Sequence, residues 1–347
     1  MGMRVTKELL GSDYRYDRGK VPGALSPAQK AAREEFLEEV DLKGLYVHLE
    51  KCPYCGNDAC TQISETDAKG LPCDIAVCDN CGGCFKLKVF TPAAAALHYG
   101  RISYRLRGKD PSDGAIERLF WDRVRMFAYP RYRFIRHFVK LEPGRDLIAE
   151  FGCGDGANLF PWKENGFDVL GIEYDPAVCR FGRQNGMELV AGDLMTHEFG
   201  GKKPKLIILS HFLEHVPDVT SVLRRVRSVI APDGKVFIEV PGARVHGIRK
   251  PLSAFDVEHS YYFDLGSLSG AARRNGFRMD YGDEFIRTIC SPVPGEFQDH
   301  LAGPVRGKLG DIMRQAEKGS LGIKMLDKFN NIYYRLRYAV LSAGAPR

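Results

Sequence analysis

Seven of the ten cysteines fall between Cys52 and Cys84. Cys52-Pro-Tyr-Cys55-Gly and Cys78-Asp-Asn-Cys81-Gly are two C-x-x-C knuckles, each closed by a glycine, with 22 residues between them. Four thiolates at that spacing suit a tetrahedral structural zinc site, and the intervening chain is long enough for a hairpin. Cys60, Cys73 and Cys84 are surplus to that set. Cys78, Cys81 and Cys84 also read as C-x-x-C-x-x-C, which leaves iron–sulfur ligation open; unmetallated thiols are the third reading.

A second constellation begins at Glu150-Phe-Gly152-Cys-Gly154-Asp-Gly156-Ala157, directly after an apolar run. Glycines there let the backbone turn sharply and let a ligand approach without a Cβ in the way. The following helix points its N-terminus at that ligand. Gly152, Gly154 and Ala157 also satisfy a dinucleotide G-x-G-x-x-A fingerprint, so the turn alone is ambiguous. Glu173 lies 23 residues after Glu150, at the end of VLGIE, where an acid accepts hydrogen bonds from ribose hydroxyls. Asp193, in VAGDL, sits where a carboxylate can hold an adenine amino group.

The elements that must position these residues follow from the apolar pattern. From residue 145, short apolar runs (DLIAEFG, DVLGIE, ELVAGD, KLIILS, KVFIEVPG) alternate with helical stretches at 160–164, 176–183 and 221–230. That alternation predicts a parallel sheet with helices on both faces. Before it, residues 1–45 form a polar arm with a helix at 26–40, capped by Ser26 ahead of Pro27. Residues 46–90 hold the cysteines. Residues 91–144 are basic and aromatic, with eleven Lys/Arg against four Asp/Glu between 101 and 140, and read as two helices broken near Pro130. Residues 145–284 form the α/β domain. Residues 285–347 are a basic helical extension, in which Ile323, Leu326, Phe329, Ile332, Tyr333, Leu336 and Val340 recur at helical spacing.

The ordered set EFGCGDG, GIEYD, AGDL, LSHFLEHVPD and APDGKVFIEVPG resembles the class I S-adenosylmethionine-dependent methyltransferases over about residues 145–283. The resemblance implies an α/β, Rossmann-like seven-stranded methyltransferase sheet whose last strand is antiparallel, here with a small N-terminal zinc-binding module and helical extensions. It also implies that Glu150, Gly152, Gly154 and Gly156 line the methionine part of the cofactor. Glu173 would hold the ribose, Asp193 and Leu194 the adenine, and His211 would be a neighbour of the cofactor. CPYCG, DAKGLP, VCDNCGGCF and FTPAAAALHYGRISYR widen the likeness, over about 48–283. They resemble a group of bacterial methyltransferases from surface-polysaccharide and sugar-biosynthesis clusters. One departure is Gly83-Cys84, where that group usually has an aliphatic residue.

Methyl transfer from a sulfonium is an in-line displacement in which a hydroxyl acceptor must lose a proton. His259, in DVEHSYYFD, is the first candidate base, with Tyr261 or Tyr262 contacting the acceptor; the resembling group carries an EH-x-x-x-F element here. His215, in FLEHVPD, is the second candidate, against the reading that this turn merely caps the next helix. His211-x-x-Glu214-His215 also has the one-face spacing of metal ligands, similar to a Glu-x-x-Glu-His arrangement in RNA 2′-O-methyltransferases.

The expected function is methyl transfer to a sugar nucleotide or surface-glycan precursor. The alternatives are an RNA methyltransferase that grips phosphates through the zinc module and Arg segments, and a non-catalytic cofactor-binding module. Composition excludes less. Apolar residues are 44%, charged residues 27%, and the net charge of +6 is too weak to imply nucleic acid alone. No apolar run approaches 18 residues, and MGMRVTKELLGSDYRYDRGK lacks a signal core, so the expectation is a cytoplasmic protein without a spanning segment. MGMRVT fits the start of a myristoylation pattern, a short motif with many chance matches. The C-terminal helix is expected to dock on the core or form a homodimer, with peripheral membrane contact as the other reading.

Overall fold

The computed structural model describes residues 2–21, 24–108, 113–243, 251–283 and 286–294. The C-terminal helical reading therefore lies outside the described residues. Seven strands make the larger sheet: β7 (Leu147–Phe151), β8 (Asp168–Glu173), β9 (Leu189–Ala191), β10 (Leu206–Ser210), β11 (Lys235–Glu239), β13 (Phe277–Gly282) and β14 (Arg287–Pro292). Their order is β13-β14-β11-β10-β7-β8-β9. The run from β11 to β9 is parallel, and β14 is antiparallel to both its neighbours. The apolar strands are buried on both sides. Ala149, Phe151, Ile207, Leu209, Val236 and Ile238 face the helices at Val219–Val229 and Leu265–Arg274. Ile148, Leu206, Ile208, Phe237 and Ile289 face the other way, toward Val124, Ile135 and Trp162.

Two sequence boundaries move. The antiparallel strand at Arg287–Pro292 lies beyond residue 284, so the sheet domain reaches at least Pro292. Its alternation is broken by Thr288 and Ser291, which hid it in the sequence. Near Pro130 the chain does not break. Helix Asp113–Arg123 passes through a π-turn at Val124–Ala128 into helix Tyr129–Phe138. Proline at the start of the last segment needs no N–H donor there, so the wider turn accommodates it.

The cysteine region is not a free-standing module. A five-stranded sheet runs β1-β3-β4-β5-β12, with β1 at Arg4–Lys7, β3 at Ala59–Thr66, β4 at Pro72–Cys78, β5 at Cys84–Lys86 and β12 at Tyr261–Tyr262. Thus the polar N-terminal arm supplies one edge strand, parallel to β3, and the loop after β11 supplies the other, antiparallel to β5. β3 and β4 form the expected hairpin between the knuckles. Two short strands, β2 (Tyr46–His48) and β6 (Lys88–Phe90), pair beside it. Ser26 caps helix Pro27–Phe36 with a full capping box. That helix packs Ala32 and Phe36 against Ala94, Ile102 and Leu106 of the tract after β6, with Val257 between them.

Candidate active site and cysteine cluster

The glycine turn follows β7 with Gly152, Gly154 and Gly156 all at positive φ, which L side chains rarely adopt. A Cβ on Gly154 would meet nothing within 4 Å, so that face is open to a ligand. A Cβ on Gly152 would lie 2.4 Å from the Phe212 ring. The segment after β10 therefore rests directly on the turn. His211 makes this possible: it takes a left-handed φ of 51° while its amide donates to the Glu239 carbonyl at 2.7 Å.

Glu150 is buried at the end of β7. One carboxylate oxygen accepts from Asn158 Nδ2 at 2.7 Å, and the other has no partner. Burial pushes its carboxyl up to about 8, against the opposing pull of Asn158 and Arg131. Glu173 accepts from the Gly154 amide at 2.9 Å and from the Tyr174 and Asp175 amides, so it is fixed at the lip of the turn. Asp193 is exposed past β9 and caps its own turn through the Met195 amide at 2.9 Å. The Leu194 carbonyl accepts from Arg225 Nε at 3.1 Å. Glu150, Gly154, Glu173, Asp193 and Leu194 thus border the C-terminal ends of the parallel strands, where ligands bind in such sheets. An unpartnered buried carboxylate oxygen and an open glycine face fit a bound, cationic small molecule.

In and around the segment that follows β10, His211, Glu214, His215, His259 and Tyr99 converge. Glu214 is buried, with His211 Nδ1 3.3 Å and His215 Nε2 3.8 Å from its Oε1. Burial pushes its carboxyl up, but His211, His215 and His259 together outweigh burial and hold it below the usual value. The His215 and His259 rings meet edge to face at 4.9 Å. Burial, then the neighbouring His215, pushes the His259 imidazole down to about 4, so it is unprotonated at neutral pH. His215 Nδ1 lies 3.2 Å from the Glu258 carbonyl, which can only accept, so Nδ1 is a nitrogen that carries a proton. Tyr99 Oη lies 3.1 Å from the same Nδ1.

Two expectations change here. Tyr261 and Tyr262 do not offer their hydroxyls to an acceptor: Tyr261 donates to the Pro217 carbonyl at 2.7 Å and Tyr262 to the Asp256 carbonyl at 3.0 Å, and both are buried. The turn around His215 does cap the next helix, but through its last residue, Asp218, which accepts from the Thr220 and Ser221 amides, so His215 is not itself the cap. The residue that sequence reasoning missed is Tyr99. It stands in the π-turn His98–Ile102, inside the quoted tract FTPAAAALHYGRISYR. Glu258 anchors that tract: its carboxylate accepts from His98 Nε2 at 3.0 Å, from Ser103 Oγ at 2.6 Å and from Arg107.

The basic helices also turn inward. Arg131 bridges Glu239 at 2.6 Å and Asn158 at 2.9 Å, and Arg123 pairs with Asp155 of the glycine turn. Arg136 donates to the Leu141 carbonyl at 2.7 Å.

The four knuckle cysteines come together, their sulfurs all within 4.8 Å of one another. Cys52–Cys81 is 3.7 Å and Cys55–Cys78 is 3.5 Å. Those spacings are far beyond a disulfide and match the separation of about 3.8 Å for sulfurs at 2.3 Å around a tetrahedral zinc. Asn80 Nδ2 and the Gly83 amide point at Cys55 and Cys81 sulfurs. Cys84 lies outside this group and packs with Cys73 in the core of the same sheet, while the Cys60 sulfur contacts Met3. The C-x-x-C-x-x-C reading therefore does not describe the cluster. Gly83 has its own reason: a Cβ there would lie 2.2 Å from the Tyr54 ring. Tyr54 in turn stacks edge-on against Tyr261 and Phe263.

A protein-family model described as "Methyltransferase domain" matches residues 120–281, the span of the glycine turn and the larger sheet up to β13. The chain carries a class I, S-adenosylmethionine-dependent methyltransferase domain. The chain is 25% identical over 261 residues to the "C-methyltransferase NovU" of Streptomyces niveus, covering 67% of this chain and 56% of that one. It is 31% identical over 98 residues to a "Ubiquinone biosynthesis O-methyltransferase" of Aeromonas salmonicida, covering 26% and 41%. The chain thus spans about half the length of these curated relatives. Among solved structures, Streptomyces venezuelae DesVI aligns with a TM-score of 0.41 at 13% identity, covering 54% of this chain and 100% of that one. The CcbJ methyltransferase of Streptomyces caelestis aligns at 0.40 and 13%, covering 49% and 90%. No helix among the described residues is long and apolar enough to cross a membrane.

Proposed function

We propose that this chain transfers the methyl group of S-adenosylmethionine to a sugar nucleotide or surface-glycan precursor in the cytoplasm, with a structural zinc held by Cys52, Cys55, Cys78 and Cys81. The observation that carries this is the convergence of Tyr99, Glu214, His215 and His259 next to Phe212, the residue that rests on the glycine turn. Glu150, Gly152, Gly154, Gly156, Glu173, Asp193, Leu194 and His211 would hold the cofactor, whose sulfonium supplies an electrophilic methyl group. Phe212 closes the floor between the two halves. His259, kept unprotonated at neutral pH by burial and packed against His215, is the first candidate to accept the proton the acceptor loses, with His215 the second. Tyr99 orients His215, its hydroxyl lying 3.1 Å from Nδ1 and donating to the Glu258 carbonyl at 3.5 Å. The NovU likeness supports carbon as the acceptor atom, and the sugar assignment rests on the cysteine and FTPAAAALHYGRISYR motifs. The inward-turned Arg123, Arg131 and Arg136 count against an RNA grip, because their charge is spent on Asp155, Glu239 and backbone.

The test is incubation with labelled S-adenosylmethionine and a panel of sugar nucleotides and RNAs. Label should pass to a sugar nucleotide. Transfer to RNA, with affinity falling steeply with salt, would replace this reading by the RNA one. Cofactor binding without transfer to any of them would favour the non-catalytic module.

A further inference from the structure

The geometry points to a second metal site in this chain, in which Glu214, His215 and His259 hold a divalent cation beside the acceptor. It deepens the methyltransferase reading on which it rests and changes one role in it: with the ion bound, His215 and His259 give their lone pairs to the metal rather than to the acceptor's proton.

Each of the three offers a ligand atom, and these atoms all lie within 4.8 Å of one another. One carboxylate and two imidazoles make a donor set for first-row divalent ions, from manganese to zinc. Glu214 is 1% exposed, and neither carboxylate oxygen has a hydrogen-bond partner. The His211 contact at 3.3 Å is close enough for charge but is not aligned as a hydrogen bond. A buried carboxylate left in that state is costly unless something positive completes it. The supporting shell is already built. His215 Nδ1 is held by the Glu258 carbonyl, so Nε2 faces Glu214 at 3.8 Å. That is too long for a hydrogen bond and a small adjustment from the separation of about 3.0–3.4 Å between ligands on a shell of about 2.1 Å. Glu258 is itself pinned by His98, Ser103 and Arg107, the kind of outer support that fixes a ligand imidazole. Three protein ligands leave positions open, and an oxygen of the acceptor bound there is polarised, so that the neighbouring carbon loses its proton to solvent water. His211, half-exposed at the mouth, is not one of the three.

The test uses the full chain with its cysteine site filled by zinc, titrated with Mn²⁺ by electron paramagnetic resonance and with Ni²⁺ by calorimetry. One ion per chain should be taken up beyond the cysteine-held zinc. Glu214→Gln and His259→Ala should each weaken that uptake by at least about tenfold. S-adenosylmethionine affinity, measured on the same preparations, reports that the variants are folded; if Glu214→Gln fails this, the half-buried His259→Ala carries the comparison. Neither ion being taken up below about 1 mM, or uptake unchanged in the folded variants, overturns the site. Because uptake is read without acceptor or turnover, its failure is separate from failure of the methyl-transfer reading.

Discussion

Glu150 shows what burial does to one side chain and what a ligand must do to undo it. Its folded carboxyl titrates at about 8, whereas in the unfolded chain it ionises near 4.5. Between those values the folded state binds the extra proton, so the ligand-free protein should lose stability as pH rises through that window. A cationic cofactor in the glycine turn favours the ionised form. Binding near pH 7 should therefore release a fraction of a proton, and affinity should rise with pH up to about 8. Calorimetry in buffers of different ionisation enthalpy measures this directly. Glu150→Gln should abolish the proton release, and a release that persists in that variant would place its source elsewhere. At the opposite wall, His259→Ala and His215→Ala should each lower turnover by about 10²–10⁴-fold with cofactor affinity nearly unchanged. Tyr99→Phe keeps the ring and removes the hydroxyl, so a smaller loss of turnover at constant melting temperature is expected. Asp193→Ala and Glu173→Ala should instead weaken cofactor binding by about ten- to a hundredfold.

At the scale of elements, the helix Tyr129–Phe138 is tied to residues proposed to hold the cofactor. Arg131 joins Glu239 at the end of β11 to Asn158, and Asn158 joins Glu150. Arg131→Met should remove the partner of the Glu239 carboxylate and of Asn158 Oδ1, costing about 1–3 kcal/mol of stability and weakening cofactor binding. Arg118, which is exposed, should be replaceable by alanine without either effect. Thermal melts and cofactor titrations of the two variants side by side check this; equal effects would mean that the whole basic face acts together. The contrast also explains what the sequence showed and what it hid. β7, β8, β10 and β11 were legible because strands buried on both faces read as unbroken apolar runs. The glycine turn and the two cysteine knuckles were legible because their spacing carries their chemistry. Arg131 looked like its neighbours, since nothing local distinguishes an arginine that reaches an acid 108 residues away. Tyr99 was hidden for the same reason, its partner His215 lying 116 residues on. The two-residue strand β12 and the polar edge strand β1 are too short to carry a pattern.

For the whole molecule, the decisive feature is that the cysteine sheet and the methyltransferase sheet share one core. Cys52, Tyr54, Cys78 and Phe85 pack in the same cluster as Phe151, Leu209 and Ile238. Tyr54 is the hinge pin: its hydroxyl donates to the Cys84 carbonyl at 2.7 Å, its ring abuts Gly83, and its carbonyl accepts from Arg274 of the helix Leu265–Arg274. β5 then pairs with Tyr261–Tyr262, two residues beyond His259. Loss of the proposed zinc therefore should not stay local. Removing it frees four thiols held 3.5–3.7 Å apart in pairs and loosens Tyr54, and with it the strand that fixes the His259 loop. The glycine turn is anchored separately by Glu173 and Arg123, and Asn158 just after it by Arg131. Chelation should thus raise hydrogen exchange in residues 52–85 and 256–263 together, and lower turnover by at least about tenfold, while changing cofactor affinity only about two- to threefold. Hydrogen exchange read by mass spectrometry, with turnover and calorimetry on the same chelated sample, separates the outcomes. Exchange confined to residues 52–85 with turnover intact would mean that the two sheets are energetically independent despite their common core, and elemental analysis finding iron in the cysteine site would replace zinc in the argument.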